Sequence, residues 1–283
     1  PQAEKYNGAA DQLLRRYLTF LETVDGSDDD IIIWPEGALP FYLLTNTYAI
    51  DTISSYLGNR TLIVGATRRG LDEEETLYFN SLAVLDAENG QSELIALYDK
   101  HRLVPFGELA AADIIPFGHA MAGLLPDAMQ QLASSGLDPG TEPTVLFPRG
   151  MPPFVALICY EGLYPEITRA ANLAARADWI VLVSNDAWFG DTPGPYQHLR
   201  HVVLRSIEEG LSTVRVANTG ISGIISPICE VTHKIQYDKQ KVIKGEVLLN
   251  KKLTFYSMYG NIFSKICFLL IIVCFVIIRL NRL

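Results

Sequence analysis

Two short apolar runs constrain the fold of this chain more than any other feature: FVALICYE at 154–161 and WIVLVSND at 179–186. A strand with one face in water alternates apolar and polar residues. These runs barely alternate, so they read as strands covered on both faces. Between them, YPEITRAANLAARA (164–177) has helical spacing. The same contrast recurs along the chain. DQLLRRYLTFLETV (11–24) places Leu13, Leu14, Tyr17, Leu18 and Leu21 on one helical face. DIIIWPE (30–36) is a short strand stopped by Pro35, and 61–69, 80–86 and 93–104 are further strands. PYQHLRHVVLRSIEEG (195–210) is a long helix for which Gly210 is a good stop. Strands at 212–220, 222–227 and 246–250 complete a β-rich core. One domain of mixed sheets covered by helices is expected, and 283 residues suffice for its core.

Two segments do not fit a plain soluble domain. ICFLLIIVCFVII (266–278) is apolar on every face; its length alone would favour a buried helix. It follows a finished domain, however, and Lys265 and Arg279 can snorkel at its ends, which widens the span to 262–280. A membrane anchor is the expectation, and an apolar content of 49% with 19% charged residues and mean hydropathy +0.17 agrees with lipid contact. Arg279 and Arg282 after the span place the preceding domain on the outer side; Lys251, Lys252 and Lys265 oppose that reading. The other segment is 106–150, rich in Ala, Gly, Pro and Leu. It reads either as a lid or arm that meets lipid or as an insertion packed on its own domain. The chain opens on Pro1, and we read it as a piece of a longer protein.

Several chemistries are disfavoured. A net charge of −9 with no basic stripe argues against nucleic acid. Cys159, Cys229, Cys267 and Cys274 match no zinc spacing, and two of them lie in the apolar tail, so a disulfide framework is not expected. His198 and His201 form an i, i+3 pair without a second pair, so no metal is expected.

Three polar residues end apolar strands or follow them closely: Glu36 in IIIWPEGALP, Lys100 in ALYDKHRLVPFGE and Cys159 in LICYEG. Together they suit acyl transfer. A cysteine attacks a carbonyl as thiolate, a carboxylate can take its proton, and an ammonium stabilises the oxyanion. Singly, each has an ordinary explanation: a helix N-terminal carboxylate, a surface lysine, a core cysteine.

Their surroundings carry a resemblance. WPEGALP, YDKHRLVPFGE, ICYEGLYPE, SNDAWFGDTPGPYQHL (184–199) and RVANTGISGII (215–225), in this order, resemble the carbon–nitrogen hydrolase (nitrilase) superfamily and, within it, the apolipoprotein N-acyltransferase branch. The resemblance spans about residues 8–250. PQAEKY (1–6) is similar to the segment joining that branch's membrane bundle to its catalytic domain. The resemblance implies an α/β fold: a four-layer α-β-β-α sandwich over 8–255 with 106–150 inserted, a linker at 1–7 and a transmembrane helix at 262–280. It makes Cys159 the nucleophile, Glu36 the general base and Lys100 the oxyanion partner, supported by Glu108, Tyr160 and Glu161. Tyr6 falls where the branch carries an aromatic that shapes substrate entry. Asn185, Asp186 and Trp188 would border the pocket; the alternatives are a turn cap for Asn185 and Asp186, and core for Trp188 and Phe189.

The implied activity moves an acyl chain from a phospholipid to the N-terminal amine of a diacylated apolipoprotein, through a Cys159 thioester and without metal or diffusible cofactor. The implied location is a bacterial inner membrane, with the catalytic domain periplasmic and the C-terminus cytoplasmic. The competing expectation is a membrane-tethered amidase acting on a small C–N substrate.

Overall fold

The computed structural model describes residues 10–23, 26–28, 30–72, 75–105, 107–109, 136–250 and 252–280. The expected linker, with Tyr6, lies outside them, as does most of 106–150.

Residue parity along the strands builds the layers. The first sheet has the order β1-β2-β3-β4: β1 (Ile31–Trp34), β2 (Thr61–Asp72), β3 (Glu75–Glu88) and β4 (Gln91–Asp99). Only β1 and β2 pair in parallel; the rest is a meander. Leu62, Val64, Ala83 and Leu85 point to one face and pack under α1 (Ala10–Glu22) and α2 (Thr47–Leu57). Ile63, Leu82 and Val84 point to the other face and meet Phe154, Ala156, Val181 and Val183 of the second sheet.

The second sheet has the order β10-β9-β8-β7-β6-β5. It contains β5 (Val145–Leu146), β6 (Phe154–Ile158), β7 (Trp179–Asn185), β8 (Ser212–Asn218), β9 (Ser222–Ile225) and β10 (Val231–Ile235). β6, β7 and β8 are mutually parallel at its centre, and β6 and β7 are buried at every residue. Val155, Leu157, Ile180 and Leu182 turn outward onto α3 (Pro165–Ala174) and α4 (Gly194–Glu209). The result is the expected α-β-β-α sandwich. Gly210 closes α4 in the left-handed conformation, φ +68°.

Besides shifts of a few residues at other strand ends and the unexpected short strands β5 and β10, three elements differ from the sequence reading. The segment 246–250 is not a strand. Its Leu248 carbonyl accepts from the Ser212 hydroxyl, but β8 is already flanked by β7 and β9 and cannot take it as a ladder partner, and Leu248 and Leu249 lie exposed. β4 ends at Asp99 rather than running to 104, because the chain leaves the ladder at Lys100. Helix α2 was not anticipated, although Asn46 caps it by accepting from the Ala49 amide, and Ala49, Ile53 and Leu57 recur every fourth residue on its buried face.

After a short helix α5 (Phe255–Tyr259), α6 (Ile262–Leu280) covers the expected span. It has mean hydropathy 2.6 and none of its apolar window is buried within the protein, so by length and composition it can cross a membrane.

Candidate active site

Cys159 stands where β6 ends, at the first residue of a short 3-10 turn (Cys159–Leu163). Its φ is +49°, a left-handed conformation that costs a side-chain-bearing residue on the order of 1–3 kcal/mol. Contacts on both sides hold it. The Ile158 amide donates to Glu161 Oε2 at 2.8 Å, and His198 Nε2 lies 3.0 Å from the Cys159 carbonyl oxygen.

Glu36 follows β1 by two residues and is buried. It sits against β2 at Gly65, where a Cβ would come within 2.5 Å of the Glu36 Cα and 2.7 Å of the Pro35 carbonyl; only glycine admits this approach. Lys100, 1% exposed, begins where β4 ends. Its Nζ is 3.5 Å from Glu36 Oε1 and 2.8 and 2.9 Å from the two oxygens of Glu108. Asn80 of β3 joins the group. Its Nδ2 donates to Glu36 Oε1 at 2.6 Å and to Glu108 Oε1 at 2.8 Å, while its backbone carbonyl accepts from the Lys100 amide. Carboxylates only accept, so the amide nitrogen must face them. Glu108 also accepts from the Val104 amide through Oε2. One oxygen is left over. Glu36 Oε2 is buried and has no hydrogen-bond partner among the described residues.

The electrostatics match that inventory. Burial pushes the Cys159 thiol up to about 12, and the Glu36 charge adds to this; Lys100 and the Ser184 hydroxyl act in the opposite direction. At neutral pH the sulfur is therefore a thiol that needs a base. Burial alone would lower the Lys100 pKa, but the negative charges of Glu36 and Glu108, joined by Cys159 once it ionises, outweigh it and hold the ammonium above its ordinary value. The free Glu36 oxygen can take the thiol proton, and the Lys100 charge can stabilise the anion that follows.

Glu161 is fully buried and ties the turn at Cys159 to the loop after Lys100. It accepts from the Tyr98 hydroxyl, the His101 and Arg102 amides, and the Ile158 amide, at 2.7 to 3.1 Å. Burial nevertheless raises its pKa. Tyr160 packs edge-on against Tyr164, whose other neighbour is the Arg102 guanidinium at 3.7 Å from the ring centroid. The described ends of 106–150 meet here: the Leu137 amide donates to the Glu108 carbonyl and the Gly140 amide to the Lys100 carbonyl.

Two residues expected on the pocket wall have other positions. Asp186 is fully buried; it accepts from Ser184 Oγ and from Arg215 Nη2, with His198 Nδ1 at 3.0 Å. Its short side chain is consumed by these partners. Asn185 caps the turn after β7, where its oxygen accepts from the Ala187 amide and from Asn218 Nδ2. Trp188, 69% exposed, is not core and stands in the turn that follows β7, with Phe189 beside it. Sequence reasoning missed Asn80, Gly65, His198 and Arg215. His198 and Arg215 do stand inside the quoted motifs, so their position was available although their role was not.

Comparisons with known proteins bear on the family and the fold. The sequence model of the family described as carbon-nitrogen hydrolase matches residues 1–251. The apolipoprotein N-acyltransferase of Bradyrhizobium diazoefficiens is 32% identical over 272 residues, which is 92% of this chain and 49% of that protein. That of Pseudomonas aeruginosa is 34% identical over 242 residues, 82% of this chain and 43% of that protein. The chain thus spans about half the length of these curated relatives or less. Among solved structures, a carbon–nitrogen hydrolase from Helicobacter pylori superposes with TM-score 0.56 at 13% identity, covering 92% of this chain and 90% of its own. Saccharomyces cerevisiae Nit3 gives 0.55 at 17% identity, covering 82% of each. These two likenesses concern the fold. With the family's sequence model matched from residue 1 through 251 and its sandwich in place, the chain belongs to the carbon–nitrogen hydrolase family.

Proposed function

We propose that this chain transfers an acyl group from a membrane phospholipid to the N-terminal amine of a diacylated apolipoprotein through a thioester on Cys159. The observation that carries this reading is the unpaired buried oxygen of Glu36 in a cluster with Lys100 and Cys159, on a domain followed by a membrane-length apolar helix. The names of the relatives supply the acceptor class.

Glu36 takes the thiol proton, and the thiolate attacks the phospholipid ester carbonyl. The oxyanion collects on the Lys100 ammonium and the Tyr160 amide. As the ester C–O bond breaks, Glu36 returns the proton to the leaving oxygen and lysophospholipid departs. The acceptor amine then attacks the thioester, gives its proton to Glu36, and expels the Cys159 thiolate, which is reprotonated. Glu108 holds Lys100, and Glu161 holds the two loops in register. Exposed Trp188 offers apolar surface to the acyl chain. The reaction uses no metal or cofactor. α6 anchors the domain in a bacterial inner membrane, with the domain periplasmic and the C-terminus cytoplasmic.

The test is intact mass spectrometry of the protein after incubation with phospholipid in mixed micelles. The expected product is one hydroxylamine-labile fatty-acyl mass, absent in Cys159→Ala. No adduct together with turnover of small amides would replace this reading with a membrane-tethered amidase.

A further inference from the structure

We infer that His198 is a positioning residue that locks the backbone of the nucleophile, and that Asp186 and Arg215 exist to hold its ring. The inference rests on Cys159 being the nucleophile but not on the identity of the acyl donor.

The Cys159 carbonyl oxygen can only accept, so the His198 Nε2 that meets it at 3.0 Å carries a proton and donates. The other ring nitrogen is gripped in either protonation state. Nδ1 lies 3.1 Å from Arg215 Nη2, from which it accepts when unprotonated, and 3.0 Å from Asp186 Oδ1, to which it donates when protonated. Both states keep the bond to Cys159.

The ring cannot swing. His198 is 2% exposed, and Phe189 packs edge-on at 5.7 Å. Its supports are fixed as well: Arg215 Nη2 reaches both Asp186 oxygens, and Nη1 donates to the Ile221 carbonyl. Gly220 leaves room for this arrangement, since a Cβ there would come within 2.3 Å of Asp186 Oδ2. A fully buried arginine, aspartate and histidine are costly to assemble, and here they converge on one backbone carbonyl.

That carbonyl belongs to the residue with φ +49°. Fixing it fixes the peptide plane between Cys159 and Tyr160, and so aims the Tyr160 amide. Asp186 also accepts from the Ser184 hydroxyl, so the same buried carboxylate that holds the His198 ring is tied to the end of β7.

The experiment measures acylation of Cys159 by a p-nitrophenyl fatty ester, with the full chain in micelles and p-nitrophenolate release as readout. The variants are His198→Asn, His198→Gln and Leu199→Ala. The amide nitrogen of Gln can reach the Nε2 position, while that of Asn stops near Nδ1. Leu199 is a buried core residue on the same helix, and its apolar side chain takes part in none of the hydrogen bonds described above. We expect His198→Asn to acylate about 100-fold more slowly than wild type, as for loss of one positioned donor. His198→Gln should recover at least tenfold of that loss. Leu199→Ala should stay within threefold of wild type despite a lower thermal midpoint. The inference is overturned if His198→Asn acylates at the wild-type rate, if Gln restores nothing, or if the rate loss in all three variants simply follows the loss of thermal stability. A wild-type protein that accepts the ester but no chain from phospholipid refutes the proposed donor, while the ester series still decides the role of His198.

Discussion

Replacing Asn80 by alanine tests whether the two carboxylates are held by the amide or by Lys100 alone. The Asn80 amide nitrogen makes two short bonds, 2.6 Å to Glu36 and 2.8 Å to Glu108. A hydrogen bond to a charged group contributes about 1.5–3 kcal/mol, so losing both would cost about 3–6 kcal/mol if nothing replaced them. Glu108 keeps Lys100 at 2.8 Å and the Val104 amide at 2.8 Å, which offsets its share. Glu36 keeps only the 3.5 Å contact with Lys100. A net loss of about 2–4 kcal/mol follows, or a fall of roughly 5–15 °C in thermal midpoint for a domain of this size. The catalytic effect should exceed the loss of stability, because a freed Glu36 no longer presents its unpaired oxygen to the thiol. We expect Cys159 acylation to slow about 100-fold at a temperature where the variant is fully folded. Asn80→Asp should be worse, since it sets a third carboxylate beside one ammonium. Acylation by Asn80→Ala within threefold of wild type would refute the reasoning, as would an Asp variant no worse than the Ala variant.

Three further outcomes follow from the same geometry. The His198 and Arg215 contacts overcome burial and hold Asp186 near about 2, below its usual 3.8, so its contribution of about 2 kcal/mol is present above pH 3.8 and lost as the pH falls toward 2. Urea unfolding should show the stability gap between wild type and Asp186→Asn narrowing over that window, and a gap independent of pH would contradict it. Cys159 should show no thiolate absorbance up to pH 9; because the Glu36 charge raises its pKa, Glu36→Gln should titrate at lower pH although it is inactive. A Cys159 midpoint below about pH 8 in the wild type would count against a base-dependent nucleophile. Gly65→Ala should abolish Cys159 acylation while circular dichroism stays near wild type, because its Cβ would strike the Glu36 backbone rather than a movable side chain; normal acylation would show that Glu36 tolerates displacement.

The amino-acid sequence by itself determined that the central strands are covered on both faces by further layers. The apolar runs within 154–161 and 179–186 have no polar face to show to water, so they had to be covered on both sides, and every residue of the strands they form is buried. The run 266–278, apolar on every face, together with its flanking Lys265 and Arg279 likewise pointed to a helix over 262–280 that is long and apolar enough to cross a membrane. The candidacy of Glu36, Lys100 and Cys159 was legible because each lies at or just beyond the end of a strand, inside a recognisable motif. Only the tertiary structure decided what surrounds them. Asn80 lies 44 residues from Glu36 and 28 from Glu108, in the middle of a strand whose alternation shows only that one face is inward. Asp186 follows a strand like any exposed turn residue. It turned inward because Arg215 of the neighbouring strand and His198 of the covering helix meet it there. Periodicity reports which face a residue takes; it does not report which distant residue shares that face. The site is made of such meetings, and the packing of the two sheets brings them about.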